Sequence, residues 1–268
     1  LIKSDAYTMK TYYMGTVDAQ NKVNFYDGKV RVVDPSGKEF IKFEPKDYLN
    51  HVGEHVEEWT YSKFPYLKKI GWKGLAYGND SGVYRVGPLG RLNASDGMAT
   101  PLAQAEYEVM YKLLGKPVHG TLVFHWARLI ELLYAAERAV ELVKDPEITS
   151  THIRNKPGAP GEGIGIVEAA RGTLIHQYVL DKDALVKDVN MIVATTNNYP
   201  AICMSIRDAA KGLIHEGKVD QGILNKVEMA FRAYDPCFGC ATHFAVGQMP
   251  LTVEVFDSNK QCIQTLQR

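Results

Sequence analysis

Residues 121–144, TLVFHWARLIELLYAAERAVELVK, form the longest helical signal in the sequence. Apolar side chains occupy most of its circumference. Glu131, Glu137, Arg138 and Glu141 are the main charged breaks, so the pattern predicts a mostly buried helix in a bundle. Upstream, Thr100 and Pro101 offer a cap and a first-turn residue for a second helix, with Leu102, Ala105, Val109 and Leu113 on one face and Gly115 as its stop. Residues 1–45 read instead as a small β meander. Asp27-Gly28 separates Asn24-Phe25-Tyr26 from Val30-Arg31-Val32-Val33, and Pro35-Ser36-Gly37 leads into Phe40-Ile41-Lys42-Phe43. A short helix at 46–56 and an irregular aromatic stretch (Trp59, Tyr61, Phe64, Tyr66, Trp72) are expected next. Further on come a Pro- and Gly-rich loop at 150–163, two strands at 165–178 and 189–196, and helices near 200–216 and 220–233. A terminal hairpin pairs 251–256 with 262–266. The expected fold class is α+β, predominantly α: a helix bundle with small antiparallel sheets.

Composition narrows the function. Lys and Arg number 31 and Asp and Glu number 31, so the chain lacks the basic excess that a nucleic-acid or anionic-membrane surface needs. No window approaches the ~18 uninterrupted apolar residues of a membrane span. The N-terminus, which starts at Leu1, has no apolar signal-peptide core, and a cytoplasmic setting is expected. Four cysteines are too few for a disulfide framework.

The most specific chemistry lies at Asp235-Pro236-Cys237-Phe238-Gly239-Cys240-Ala241-Thr242-His243. Two thiols three residues apart can chelate one soft metal, and His243 adds a nitrogen donor one turn later. A redox pair or two unrelated thiols are the alternatives. The helical signal before the pair counts against a thioredoxin-type arrangement, which follows a strand. A closed zinc site needs four ligands, and Cys203 and Cys262 are solitary, so within this chain the site is half-built.

Other motifs are weaker. His51-Val52-Gly53-Glu54-His55 matches an inverted zinc-protease pattern if helical, but Gly53 weakens that helix and no third ligand is apparent. Gly161-Glu162-Gly163-Ile164-Gly165 leads from a Pro-rich loop into β-like sequence, not from a strand into a helix, so it reads as a flexible lead-in. Arg171 sits amid small and apolar residues and must find a carboxylate or border a polar cavity. His119 and His125 read as packing histidines beside the long helix, and the aromatic stretch as packing or interface surface.

Taken together, these residues closely resemble the large subunit of a nickel–iron hydrogenase. The family's terminal D-P-C-x-x-C-x-x-H signature stands intact at 235–243, and its E-A-P-R-G-x-L-x-H motif stands at 168–176 with Ala170 in place of Pro. The resemblance runs over nearly the whole chain. Stretches 10–15, 24–28, 68–73 and 83–89 are similar to the cytosolic multi-subunit branch, nearest the methyl-viologen-reducing type coupled to heterodisulfide reductase. It implies the large-subunit fold, present here in part, and reversible heterolytic cleavage of dihydrogen into protons and electrons.

The resemblance implies roles residue by residue. Cys237 would be a terminal nickel thiolate, and Cys240 would bridge nickel to an iron carrying carbonyl and cyanide ligands. His243 would ligate a magnesium or iron ion, helped by a backbone carbonyl near Met191. Arg171 would hang over the open side of the metals with Asp235 beside it, polarising dihydrogen and assisting proton movement. Donors at Ala194 and Thr195 would hydrogen-bond a cyanide, and Ala170 would enlarge the space above iron and alter gas access. The implied partners are an iron–sulfur small subunit, further electron-transfer subunits including heterodisulfide reductase, a nickel chaperone and a maturation endopeptidase.

Two departures qualify the match. The family's first cysteine pair, R-x-C-G-x-C, is absent, so the chain reads as the C-terminal part of a large subunit, inactive by itself and without its nickel–iron centre, with Cys237 and Cys240 free or disulfide-linked. Residues 244–268, which many family members lose by cleavage after the histidine, are present as in a precursor. Residues 46–243 then form the helical core with its hairpin and cysteine motif. The competing reading is a non-catalytic structural or assembly module that kept the fold without the nickel site.

Overall fold

A computed structural model describes residues 2–60, 62–242 and 252–267. At its centre, strand β1 (Tyr12–Val17) is buried at every position. Its neighbours explain this: β2 (Lys29–Val33) pairs with it antiparallel on one edge and β6 (Tyr84–Arg85) pairs parallel on the other, giving the order β3-β2-β1-β6 with β3 (Glu39–Phe43) outermost. One face carries Tyr12, Met14, Val30 and Val32 into a core shared with Ile166, Ile175 and Ile192. The opposite face meets α1 (Pro88–Ala94), where a Cβ on Gly15 would stand 2.8 Å from the Arg91 Cα.

The helices α2 (Pro101–Leu114), α3 (Phe124–Lys144), α5 (Tyr199–Leu213) and α6 (Gln221–Arg232) surround a larger core that includes Leu89, Leu92, Met110, Phe124, Ile130, Met204 and Tyr234. A second sheet runs β7-β8-β9 (Glu162–Ala169, Gly172–Leu180, Val186–Ile192), antiparallel throughout. β4 (Val52–Val56) and β5 (Lys63–Leu67) form a hairpin, as do β10 (Thr252–Phe256) and β11 (Cys262–Gln267). Short helices α4 (Ala194–Asn197) and α7 (Phe238–Thr242) complete the described elements. Helices with small sheets are the expected class.

Several local expectations are corrected. Asn24-Phe25-Tyr26 is a bend, because the Asn24 side-chain carbonyl accepts the Tyr26 and Asp27 amides. Residues 46–56 are a 3-10 turn followed by β4, not a helix, since the chain pairs with β5 from Val52 on. The strand expected at 165–178 is two strands, β7 and β8, folded about Ala170 and Arg171.

Helix α2 turns the other face inward. Ala103, Tyr107 and Met110 are buried while Leu102, Val109 and Leu113 are exposed. The Glu137 carboxylate of α3 accepts the Leu102 and Ala103 amides and the Thr100 hydroxyl, which fixes the rotation of α2 and supplies its cap. Helix α3 is buried only at Phe124, Ala127, Ile130 and Glu131, and its later turns face outward, with Val143 72% exposed. Tyr61 and residues 243–251 lie outside the described residues.

The Arg85 guanidinium is fully buried and is met by neutral acceptors: Thr11 Oγ1 at 2.9 Å, the Tyr13 hydroxyl at 2.6 Å and the His119 carbonyl at 3.1 Å. His119 is the packing residue expected, stacked on Tyr13 with its Nδ1 2.7 Å from the hydroxyl, whereas His125 is exposed. Burial, then the Arg85 and Lys10 charges, push the His119 pKa down from 6.5 to about 4. The unfolded chain therefore takes up this proton first, so the contribution is present above pH 6.5 and is lost as pH falls towards about 4. Urea unfolding should show a stability loss from pH 7 to about pH 4.5 that is shallower in His119→Gln. An unchanged slope in that variant would contradict the assignment.

Candidate metal centre

The β7–β8 hairpin closes with Ala169 opposite Gly172, leaving Ala170 and Arg171 as a two-residue turn. Gly172 has φ +137, and a Cβ there would lie 2.3 Å from Val86 Cγ2 and 2.8 Å from the Gly87 amide. Gly87 has φ +86, and its own added Cβ would meet the Arg171 carbonyl at 2.9 Å. The turn is thus pressed against the start of α1 by two glycines that nothing larger can replace.

From this turn Arg171 reaches residue 235. Its Nε donates to the Asp235 carbonyl at 2.8 Å and lies 3.3 Å from the Asp235 carboxylate. Asp235 sits at φ +53, in the left-handed region that aspartate tolerates, and so redirects the chain from α6 into α7. That bend is held from behind. The Arg128 guanidinium of α3 donates to the Ala233 carbonyl at 2.9 Å, Tyr234 packs on Phe124 with ring centroids 4.7 Å apart, and the Tyr234 and Ser205 hydroxyls are 2.8 Å apart. Burial pulls the Arg128 pKa down, with the Asp235 and Glu131 charges opposing. Both Arg171 and Asp235 are well exposed, so solvent screens their pairing and it adds little stability.

Helix α4 supports the cysteines. The Cys237 amide donates to Thr195 Oγ1 at 3.1 Å, and Thr196 Oγ1 donates to the Ala241 carbonyl at 3.4 Å. Ala194 is buried beside them. Cys237 and Cys240 are joined in a disulfide with their Cα atoms 5.4 Å apart. Their sulfurs therefore converge on one point, and reduction would present two soft donors side by side. Among the described residues no group of three or more His, Cys, Asp or Glu is placed to hold a metal, so the donor set is two thiolates. That fits half of a four-thiolate site.

The fold thus brings Arg171, Asp235, Cys237, Cys240 and Thr195 together. His243 falls outside the described residues. Met191 stands opposite His176 in the β8–β9 ladder, with the Tyr178 hydroxyl 3.5 Å from its sulfur. The inverted zinc motif dissolves: His55 lies on a strand, stacked on Trp72, while His51 precedes it, stacked on Phe43, and Glu54 faces Asn190 and Lys63. Sequence reasoning missed Arg128, whose only signal was a cation on the apolar stretch of α3, and it missed Arg91 altogether. Gly172→Ala should lower the urea unfolding midpoint by more than about 1 kcal/mol, whereas Gly165→Ala in the same hairpin, where an added Cβ meets nothing, should stay within about 0.5 kcal/mol. Equal effects would show that the turn is not wedged.

Comparison with known proteins agrees with this geometry. The nickel-dependent hydrogenase family model matches residues 5–243. The F420-non-reducing hydrogenase iron-sulfur subunit of Archaeoglobus profundus is 47% identical over 269 residues, covering 99% of this chain and 55% of its own length. The NAD-reducing hydrogenase HoxS subunit beta of Cupriavidus necator is 41% identical over 250 residues, covering 91% of this chain and 50% of its own. A crystal structure of an NAD+-reducing NiFe-hydrogenase in the H2-reduced state superposes with a TM-score of 0.83 at 36% identity, over 89% of this chain and 52% of that one. The chain spans about half the length of the relatives it matches. No helix among the described residues is long and apolar enough to cross a membrane. With a family match over most of its length and the cysteine, arginine and aspartate positions converging, the chain belongs to the nickel-dependent hydrogenase family.

Proposed function

We propose that this chain forms one side of the dinuclear centre of a nickel–iron hydrogenase large subunit, which splits dihydrogen reversibly into protons and electrons. The observation that carries the reading is the meeting of the Arg171 turn and Asp235 beside the paired sulfurs of Cys237 and Cys240. Once reduced, Cys237 would hold nickel and Cys240 would bridge nickel to iron, with two further thiolates coming from polypeptide that corresponds to the rest of the relatives' length. His243 would hold a magnesium or iron ion, with Met191 supplying a carbonyl. The nickel–iron group, with its carbonyl and cyanide ligands, supplies the polarisation of dihydrogen when bound.

The chain's own residues do the rest. A thiolate is soft and basic, so Cys237 Sγ can hold the released proton. The Asp235 carboxylate stands at the solvent edge, where it can take that proton onward. Arg171 sets a fixed positive charge beside it, anchored through Nε so that its place does not depend on the screened ion pair. Thr195 accepts the Cys237 amide and keeps a hydroxyl proton for a cyanide nitrogen, with Ala194 adding a backbone donor. Ala170, exposed at the turn, leaves open the space a proline ring would fill.

In this reading the electrons pass to an iron–sulfur small subunit, then to further electron-transfer subunits, including a heterodisulfide reductase, in the cytoplasm. A nickel chaperone loads the site and an endopeptidase removes the segment after His243. The test is exchange of deuterium between D2 and water by the complete large subunit in complex with its small subunit, alongside nickel and iron analysis. Exchange should be present with both metals bound, and Cys237→Ala and Cys240→Ala should abolish it. A complete subunit that binds no nickel and catalyses no exchange would establish the non-catalytic module instead.

A further inference from the structure

We propose that Arg91 is the positioning residue of this site: without touching a reacting atom, it fixes where the Arg171 turn stands. Arg91 has no exposed surface, and all five of its N–H groups are used. Nε and Nη2 grip the two oxygens of Glu131 on α3, each at 2.6 Å. Nη1 donates to Glu168 at 2.7 Å. The remaining two bonds go to the carbonyls of Ala169 at 2.8 Å and Ala170 at 3.3 Å, the two residues that lead into Arg171.

A guanidinium needed only for stability could be satisfied by its carboxylates and water. Here two donors are aimed at the backbone of one turn. Glu168 clamps the same turn from its other oxygen, which accepts the Thr16 amide at 3.0 Å and the hydroxyl of Thr173, on the far side of the turn, at 2.8 Å. Gly15 and Phe25 wall the guanidinium in, the latter ring 4.8 Å from it. Burial pushes the Glu168 pKa up, and the Arg91 charge and hydrogen bonds oppose it. Glu131 and Arg128 lie one turn apart on α3, so that helix steadies the Arg171 turn through one residue and the Ala233 end of α6 through the other. Lysine presents its donors from a single point and cannot span these four acceptor groups.

This inference rests on the reading that Arg171 serves the reaction, and the test separates the two. In the complete enzyme, Arg91→Lys should lower deuterium exchange about tenfold at unchanged nickel content, yet less than about twofold in an Arg171→Ala background. Effects that multiply in the double variant would overturn the positioning role. The crystal structure of the Arg91→Lys enzyme gives a readout independent of activity. It should show Arg171 Nε beyond hydrogen-bonding reach of the Asp235 carbonyl, and an unchanged 2.8 Å contact would overturn the proposal. If Arg171→Ala leaves exchange intact, the functional reading of Arg171 fails and the crystallographic comparison alone decides the positioning. Should Arg91→Lys not accumulate as folded enzyme, Glu131→Gln keeps the guanidinium, weakens two of its bonds and permits the same comparisons.

Discussion

A guanidinium cut off from water has to find acceptors for five N–H groups inside the protein, and around Arg91 that demand organises the molecule. Satisfying it brings α1, α3 and the β7–β8 hairpin to one point, with β1 packed so closely that only glycine fits at position 15. Removing one partner from such a cluster would leave an uncompensated buried charge, which costs about 3–5 kcal/mol. The network is therefore a geometric commitment: if it forms, the Arg171 turn has one place to be.

The site itself is lightly built. Its own charged pair is half in solvent, its cysteines sit on a five-residue helix, and its bend depends on a left-handed aspartate. Rigidity comes from behind, through Arg91 and Glu168 on one side and Arg128, Tyr234 and Ser205 on the other. This division suits a metal centre, where donors must be placed accurately while the face they present stays open to gas and protons.

Much of this was legible in the sequence, for identifiable reasons. The cysteine pair and the residues around Arg171 are short, rigid motifs whose spacing survives reading in one dimension. The meander strands at 30–33 and 40–43 show themselves through turn chemistry. Where the reading failed, tertiary contact had overridden local pattern. Leu102, Val109 and Leu113 have helical spacing, but Glu137 from another helix caps α2 and turns that face outward. A continuous β-like run from 165 to 178 hid a hairpin tip, because Gly172 and Arg91, rather than a recognisable turn sequence, bend the chain there. The arginine that matters most to the architecture lies in Pro88–Ala94, too short a helix to show amphipathic periodicity. Its importance comes from partners 40 and 77 residues away.

The central claim is that the paired sulfurs of Cys237 and Cys240 face a nickel ion completed by thiolates from beyond this chain. Nickel-edge X-ray absorption of the complete, assembled enzyme measures it most directly, by counting the sulfur atoms around the metal in the wild type and in Cys237→Ser. The account predicts a sulfur-dominated shell that loses one sulfur scatterer in the variant. A nickel environment of nitrogen and oxygen, or one that the substitution leaves untouched, would contradict it.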